Sequence, residues 1–146
     1  MKNQLFKSNK PFQIRSYIWY TEIPDSKGIA IDPGQNWDDI HAFLKKNKIK
    51  LKYILLTQVN FETAAWISHI KQETSAQFLS FQSDLLKLRM LPRWADEKNV
   101  CGIKIPQVDQ FLDGRQTLNF QGFDIKIATK DNHHEYQVGK LRVPEK

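Results

Sequence analysis

The chain of 146 residues is 40% hydrophobic and 12% aromatic, which is enough apolar material for one buried core, and its single cysteine, Cys101, excludes an internal disulfide and a thiolate cluster. No apolar run is long enough to cross a membrane, and the N-terminal residues are charged and polar, so we expect one soluble cytoplasmic domain over residues 1–146 without membrane contact. The net charge is +6, from 22 Lys and Arg against 16 Asp and Glu, which favours acidic partners such as nucleic acid.

The first half of the chain predicts strands that alternate with helices. β-Formers, turn residues and helical periodicity predict, in order, a strand over residues 12–22, a return strand over 28–32, a helix over 37–47, a strand over 52–56 and a helix over 61–73. Asn36 is a candidate cap for the first helix. The apolar stripe of that helix is formed by Trp37, Ile40, Phe43 and Leu44, and the buried side of the next helix by Ala64, Ile67 and Ile70.

The second half predicts a shorter helical part and a closing meander. The elements are a strand over residues 77–81, a helix over 84–90, an irregular segment over 93–108, and strands over 110–112, 116–120 and 123–128. Ser83 is a candidate cap for the helix, and Pro92 is expected to close it. Turn signals at Asp113-Gly114 and Gln121-Gly122 predict that the last strands are antiparallel. The fold class is therefore α+β, a mixed sheet with helices on one face.

The segment from Tyr53 to Trp66 resembles the ligand loop of the metallo-β-lactamase superfamily. In that family a buried strand ends in a Leu-Thr pair, and a His-x-His-x-Asp-His motif follows before a helix. Here the six positions read Gln58, Val59, Asn60, Phe61, Glu62 and Thr63. Amides and hydroxyls are poor ligands for transition metals, so of these positions only Glu62 keeps a good donor. The resemblance thus implies the family's fold without its usual metal motif, with Gln58, Asn60, Glu62 and Thr63 at the altered positions.

The resemblance covers residues 17–134 and implies a glyoxalase II-like fold, the N-terminal part of an αββα sandwich. Residues 28–34 resemble the family's Asp-Pro-Gly turn, and residues 108–114 resemble the segment before its later strands. The family places a site-supporting Asp at the position of Asp32. In this chain we expect the Asp32 side chain to cap the Pro33-Gly34 turn instead.

A second ligand segment is aligned with residues 128–134. Thr129 matches the first residue of the family's Thr-Pro-Gly-His-Thr turn, which places Asn132 at the metal-ligand position. A shift of one residue places His133 there. The family's remaining ligands, a bridging Asp and a last His, lie beyond the position of Lys146. We therefore expect a truncated sheet with apolar surface and an unpaired edge, which a second copy or another protein completes.

Few residues remain as candidates for chemistry. Glu62, Asp131, His133 and His134 are the candidate participants in catalysis or in a non-native metal site. His133 and His134 are adjacent, so in a strand their rings point to opposite faces, and the simpler interpretation is an exposed polar turn between two strands. His41 and His69 are expected to face solvent, although Glu73 follows His69 by one helical turn. Cys101 is interpreted as an incidental thiol, and Trp94, in the irregular segment, as a candidate interface anchor.

The leading hypothesis is a catalytically inactive metallo-β-lactamase-like scaffold, a pseudoenzyme without a cofactor that acts as a protein-binding or assembly module and forms oligomers. The first alternative is a divergent hydrolase of the superfamily that cleaves an ester, thioester or phosphodiester with water activated by zinc. The second alternative is a basic nucleic-acid-associated protein. The densest basic stretch, Lys45 to Lys52, includes cations that suit a helix C-terminus, and no RNA-binding signature accompanies it. That alternative requires a contiguous positive face.

Overall fold

The computed structural model describes residues 1–8, 14–22, 24–113, 116–130 and 133–144. Within them the first sheet is mixed, with six strands in the order β1-β2-β3-β4-β5-β6. These strands are β1 (Lys2–Ser8), β2 (Ile14–Tyr20), β3 (Lys27–Ile31), β4 (Lys50–Leu55), β5 (Gln77–Ser80) and β6 (Gln110–Phe111). The pairs β1/β2 and β2/β3 are antiparallel, and the pairs from β3 to β6 are parallel.

Helices and a second, antiparallel sheet flank the first sheet. The helices are α1 (Trp37–Lys46), α2 (Phe61–Ala64), α3 (Ile67–Thr74), α4 (Leu85–Arg89) and α5 (Leu91–Glu97). The second sheet has the order β10-β9-β8-β7, formed by β7 (Thr117–Phe120), β8 (Phe123–Lys130), β9 (His133–Val138) and β10 (Leu141–Val143). In the described part of the chain, no helix combines the length and apolar character needed to cross a bilayer.

The central strands of the first sheet are buried on both faces. Alternate side chains of its strands, among them Ile18, Ala30 and Ile54, pack with the helices. Their neighbours, including Trp19 and Leu55, pack against the second sheet. Because successive side chains of a strand point to opposite faces, a strand buried on both sides is apolar throughout, as residues 28–31 and 53–56 are. The fold class predicted from the sequence, α+β with helices on one face of a mixed sheet, is confirmed.

The outer face of the second sheet is polar. It carries Asp124, Lys126, Lys130, His133, Glu135, Gln137 and Arg142. Glu135 accepts a hydrogen bond from Arg142 at 3.0 Å and has Lys130 and His133 at 3.7 Å and 3.5 Å, and the Arg142 guanidinium is the main cause of its lowered pKa. The apolar surface expected for a truncated sandwich is therefore not found on the described strands of this face.

Several local predictions were wrong. Residues 2–8 form the edge strand β1, which the charged N-terminus did not indicate. Residues 110–112 were assigned to the closing meander, but β6 pairs in parallel with β5 in the first sheet. Pro92 does not close a helix. It lies in the first turn of α5, where its missing N–H needs no partner, so the segment predicted as irregular is helical to Glu97.

The expected caps and one long helix also differ. The Asn36 side chain caps no helix, because its amide donates hydrogen bonds to Ser16 Oγ at 2.9 Å and to the Ile14 carbonyl at 3.2 Å. Ser83 lies within a short 3-10 turn, Gln82–Asp84, and makes no cap. The helix predicted over residues 61–73 is divided at Ala65 and Trp66 into α2 and α3, although Ala64, Ile67 and Ile70 are buried as expected. Gly114 of the predicted Asp113-Gly114 turn lies outside the described residues.

Candidate functional site

Two of the altered ligand positions form a reciprocal cap at the start of α2. Asn60 is the N-cap residue of α2, and its Oδ1 accepts a hydrogen bond from the Thr63 N–H at 2.9 Å. In return Thr63 Oγ1 accepts from the Asn60 N–H at 3.3 Å, and its hydroxyl lies 2.7 Å from the Gln58 carbonyl, to which it donates. Both side chains thus satisfy backbone groups at the helix start. They point back into their own loop rather than toward a shared ligand.

The other two positions are equally unlike a metal site. Gln58 is exposed, and Glu62 lies 3.7 Å from the Lys98 ammonium, which also contacts the Phe61 ring. A paired carboxylate and a free amide leave one donor able to bind a transition metal, and one donor does not hold such an ion. Across the described ranges no group of three or more His, Cys, Asp or Glu side chains is placed to hold a metal.

Asp32 joins the ends of β3 and β4. Its carboxylate accepts hydrogen bonds from the Thr57 N–H at 2.8 Å and the Thr57 hydroxyl at 2.5 Å. Desolvation by burial raises the pKa of Asp32 to about 7, and the two bonds from Thr57 oppose that rise. The prediction that its side chain caps the Pro33-Gly34 turn was wrong, because the carboxylate reaches the neighbouring parallel strand instead. Asp32 therefore fixes the strand end from which the ligand loop leaves.

Gly34 lets the Asp-Pro-Gly turn approach that loop. Its backbone has a φ of +35°, and a Cβ added there would lie 1.9 Å from the Glu62 carbonyl oxygen. Real Cβ contacts are never this short, so any side chain at this position would displace α2 or the turn. The turn and the first turn of α2 thus form one packed unit.

His134 is the buried centre of a polar network between the two sheets. It is 3% exposed, and its ring stacks on Phe81 with 3.7 Å between ring centroids. Its Nε2 is 2.7 Å from Asp84 Oδ2, and its Nδ1 is 3.0 Å from Thr129 Oγ1. A proton on Nε2 can be donated to the Asp84 carboxylate, and Nδ1 and the Thr129 hydroxyl form a hydrogen bond whose direction depends on whether the ring is neutral or an imidazolium. Both ring nitrogens are therefore occupied.

The same network also binds the backbone that follows β4. The backbone N–H of His134 donates to the Thr57 carbonyl at 2.6 Å, and the Tyr136 hydroxyl donates to the Leu56 carbonyl at 2.7 Å. Burial raises the pKa of Tyr136 well above its ordinary value, with the charges of Asp32 and Asp84 adding to the rise. Two residues of β9 thus bind the backbone just after β4, where the segment with the altered ligand positions begins.

His133 and His134 have separate surroundings. They belong to β9 rather than to an exposed turn, so that interpretation of the sequence was wrong. His133 lies on the outer face of the second sheet beside Glu135, whereas His134 points into the sandwich, as strand alternation requires. Glu62 has a third set of partners, and Asp131 and Asn132 lie outside the described residues. The described candidates are therefore not assembled into one catalytic centre. Sequence reasoning missed Asp84, which no local motif indicates.

A pocket of about 250 Å³ opens beside this region. Its lining includes Asp32, Thr57 and Thr63 from the loop region and Arg15, Tyr17 and Val143 from the two sheets. A carboxylate with a pKa of about 7 and a guanidinium thus share one cleft. One of the altered ligand positions, Thr63, is among the residues that line this pocket.

The helical histidines form a cluster of their own. His69 is exposed as expected and His41 is half-buried. Both bind Glu73, at 2.7 Å and 3.2 Å respectively, and the Trp37 indole N–H donates to the same carboxylate at 3.2 Å. The cluster connects α1 to α3.

Cys101 is exposed. Trp94 lies in α5 rather than in an irregular segment and packs against the helical core.

No family model and no curated protein matches this chain. Among solved structures, the BLEG-1 B3 metallo-beta-lactamase matches with a TM-score of 0.77 and 15% identity, over 94% of this chain and 67% of that one. The chain has a metallo-β-lactamase-like fold. The FEZ-1 metallo-beta-lactamase from Legionella gormanii matches with a TM-score of 0.69 and 21% identity over 85% of this chain and 51% of that one. ETHE1 from Myxococcus xanthus matches with a TM-score of 0.69 and 12% identity over 97% of this chain and 56% of that one.

The chain spans about half to two thirds of the length of these proteins. The TM-scores show the metallo-β-lactamase-like fold, whereas identities this low carry no information about chemistry. The segment that the sequence analysis assigned to the ligand loop follows the parallel strand β4 and includes α2. In this metallo-β-lactamase-like chain that loop holds a helix cap and an ion pair.

Proposed function

We propose that this chain is a metallo-β-lactamase-like scaffold that uses no metal at its ligand loop and acts as a binding or assembly module. The reciprocal cap between Asn60 and Thr63 carries this proposal. A cap of this kind contributes about 1 kcal/mol to stability, so the loop is held by its own hydrogen bonds without an ion. Residues that replace metal ligands here stabilise the backbone at the same place.

The hydrolase alternative has less support from these contacts. Activation of water by zinc needs three protein donors and an open coordination position. Glu62 is paired with Lys98, and His134 would have to release Asp84 or Thr129 before a ring nitrogen could bind an ion. Losing either bond would leave a polar group unsatisfied inside the sandwich, which is costly.

The binding role is supported by exposed apolar side chains and open sheet edges. Leu86, Ile105 and Phe111 are 74%, 49% and 48% exposed. Phe111 belongs to β6, the last described strand of the first sheet, and unpaired strand edges are surfaces on which other chains pair. We expect the protein to self-associate or to hold a protein partner through these groups. A monodisperse monomer at micromolar concentration, unchanged by Phe111→Ser, contradicts the self-association part.

Zinc-dependent stability tests the metal-free part. Thermal unfolding of untagged protein is followed with a chelator and with added zinc, together with hydrolysis of ester, thioester and phosphodiester substrates. A bound ion stabilises the folded state according to its affinity, so the proposal expects no zinc-dependent shift. A rise in melting temperature that Glu62→Gln abolishes, accompanied by zinc-dependent hydrolysis, would establish the hydrolase instead. Lys98→Gln is the matched control, because it breaks the same ion pair and keeps the carboxylate.

A further inference from the structure

Two adjoining pockets form a lysine-rich surface at one end of the first sheet. One pocket, of about 270 Å³, is lined in part by Lys45, Lys48 and Lys50. Its neighbour, of about 280 Å³, is lined in part by Lys27, Lys50 and Lys52. Lys50 and Leu51 belong to both, so the two pockets adjoin. We call these five lysines, Lys27, Lys45, Lys48, Lys50 and Lys52, the lysine face.

Chain topology creates the lysine face. Lys27 and Lys50 are the first residues of the parallel strands β3 and β4 and are paired in register. The connection between α1 and β4 supplies Lys48 beside them. The altered ligand loop lies beyond the other end of β4, about 17 Å away for a strand of this length. The lysine face is therefore distinct from the candidate site already described.

Among the described residues, no carboxylate compensates the charges of the lysine face. None of its five lysines forms an ion pair with any described Asp or Glu, whereas Lys71 and Lys98 elsewhere do. Lys52 contacts the rings of Tyr53 and Phe120. The acidic residue lining these pockets is Glu73, and its oxygens are taken by His41, His69 and Trp37. In the described part of the chain these ammonium groups thus have no carboxylate within ion-pair distance.

Lys48 occupies a backbone position that favours glycine. It follows the end of α1 with a φ of +55°. The Ile49 N–H donates to the Leu44 carbonyl at 2.9 Å and the Lys48 N–H to the Lys45 carbonyl at 3.3 Å, the Schellman pattern of a helix end. Glycine is the usual residue there, because a Cβ is disfavoured at this φ. Helix-dipole complementarity explains Lys45 in the last turn, but it gives no reason for Lys48 at this position.

We propose that the lysine face binds the phosphate backbone of a nucleic acid without reading its sequence. Flexible ammonium groups along two adjoining pockets suit successive phosphates, and their release of counterions supplies the affinity. A membrane surface fits less well, because lipid binding adds apolar anchors and none of the large exposed apolar residues, Trp66, Leu86, Ile105, Phe111 and Phe123, lines either pocket. The proposal gives the binding module a partner class, through residues that lie away from the ligand loop.

Fluorescence anisotropy tests whether the lysine face binds nucleic acid. Labelled single-stranded and duplex oligonucleotides of mixed sequence are titrated over a series of salt concentrations. The triple variant Lys27→Gln, Lys48→Gln, Lys50→Gln removes the centre of the lysine face. The control Lys104→Gln, Lys126→Gln, Lys140→Gln removes the same charge from exposed lysines elsewhere. Each phosphate contact contributes about 0.7 to the slope of log K against log salt for a single strand. We expect the first variant to lose about 2 from that slope and more than about tenfold in affinity at low salt, and the control to change little.

Lys48→Gly separates binding from folding. It relieves the left-handed backbone and should raise the melting temperature while it weakens oligonucleotide binding. Several results would overturn the proposal: no oligonucleotide binding at low salt, equal losses in the two triple variants, or binding of phosphatidylserine vesicles in preference to oligonucleotides. Inhibition by inorganic phosphate well below concentrations that screen charge would assign the pockets to a free anion instead. None of these outcomes bears on zinc binding at the ligand loop, so the two proposals fail independently.

Discussion

His134 and Asp84 lie 50 positions apart in the chain and are joined by a buried hydrogen bond of 2.7 Å. Asp84 ends the short 3-10 turn after β5, and His134 lies in β9 of the second sheet. The pair therefore connects the two sheets next to the end of β4, where the backbone N–H of His134 also donates to the Thr57 carbonyl. Its surroundings are those of a structural group, because every polar atom of the ring already has a protein partner.

Removing the imidazole should be severely destabilising. His134→Ala leaves the Asp84 carboxylate buried without its partner, and loss of one member of a buried polar pair costs about 3 kcal/mol or more. The matched control is His133→Ala on the outer face of the same strand, expected to change stability by less than about 0.5 kcal/mol. Urea unfolding measures both. Equal losses would show that the Asp84 bond contributes little.

The cap of α2 should act locally and without metal. Asn60→Ala and Thr63→Val each remove a bond that satisfies the helix start, so each should lower the free energy of unfolding by about 1 kcal/mol, with or without zinc. Gln58→Ala, at an exposed position of the same loop, should be nearly neutral. If chelation of metal were to destabilise the parent chain as much as these variants do, the loop would depend on an ion rather than on its cap.

Gly34 should be essential for packing of the ligand loop. Gly34→Ala places a Cβ 1.9 Å from the Glu62 carbonyl oxygen, so α2 must move, and we expect a loss above about 3 kcal/mol. Gly139→Ala is the control, since its φ of +57° is also left-handed but no atom lies within 4 Å of the added Cβ. That variant should lose only about 1 kcal/mol of stability, the cost of a side chain on a residue with a left-handed backbone. Similar losses in thermal unfolding would argue against the tight contact.

Asp32 should make the protein less stable as the pH rises from about 4 toward neutrality. Its pKa is about 7 in the folded state against 3.8 for an ordinary Asp. The folded state therefore holds the proton more tightly, and stability falls as the pH rises from 3.8 to about 7, by a total on the order of 4 kcal/mol. Asp32→Asn should flatten this dependence in urea unfolding, whereas Asp96→Asn, at an exposed position, should leave it unchanged. An identical pH profile for Asp32→Asn would contradict the raised pKa.

The sequence predicted elements whose signal is local. Apolar runs and the stripe of α1 indicated β3, β4, β5 and α1 within a few residues, because both faces of those strands and one face of that helix are buried. The spacing of Asn60 and Thr63 also fits the N-cap and N3 positions of a capping box. The family resemblance assigned both positions to lost metal ligands, so the sequence analysis did not predict this cap.

Other features depend on contacts between distant segments. Nothing near Asp84 in the chain indicates His134, and nothing near β6 indicates its parallel pairing with β5. The density of lysines over residues 45–52 was evident, but their continuity with Lys27 arises only from the parallel register of β3 and β4. Such features follow from topology, which periodicity and turn signals do not specify.

The metal content of the untagged protein, determined by elemental analysis after purification without chelators, tests the metal-free ligand loop most directly. We expect less than about a tenth of an equivalent of zinc, iron or manganese, since the loop lacks the imidazoles that hold such ions. Near-stoichiometric metal that is lost in Glu62→Gln and retained in Lys98→Gln would contradict the proposed function and identify Glu62 as a ligand.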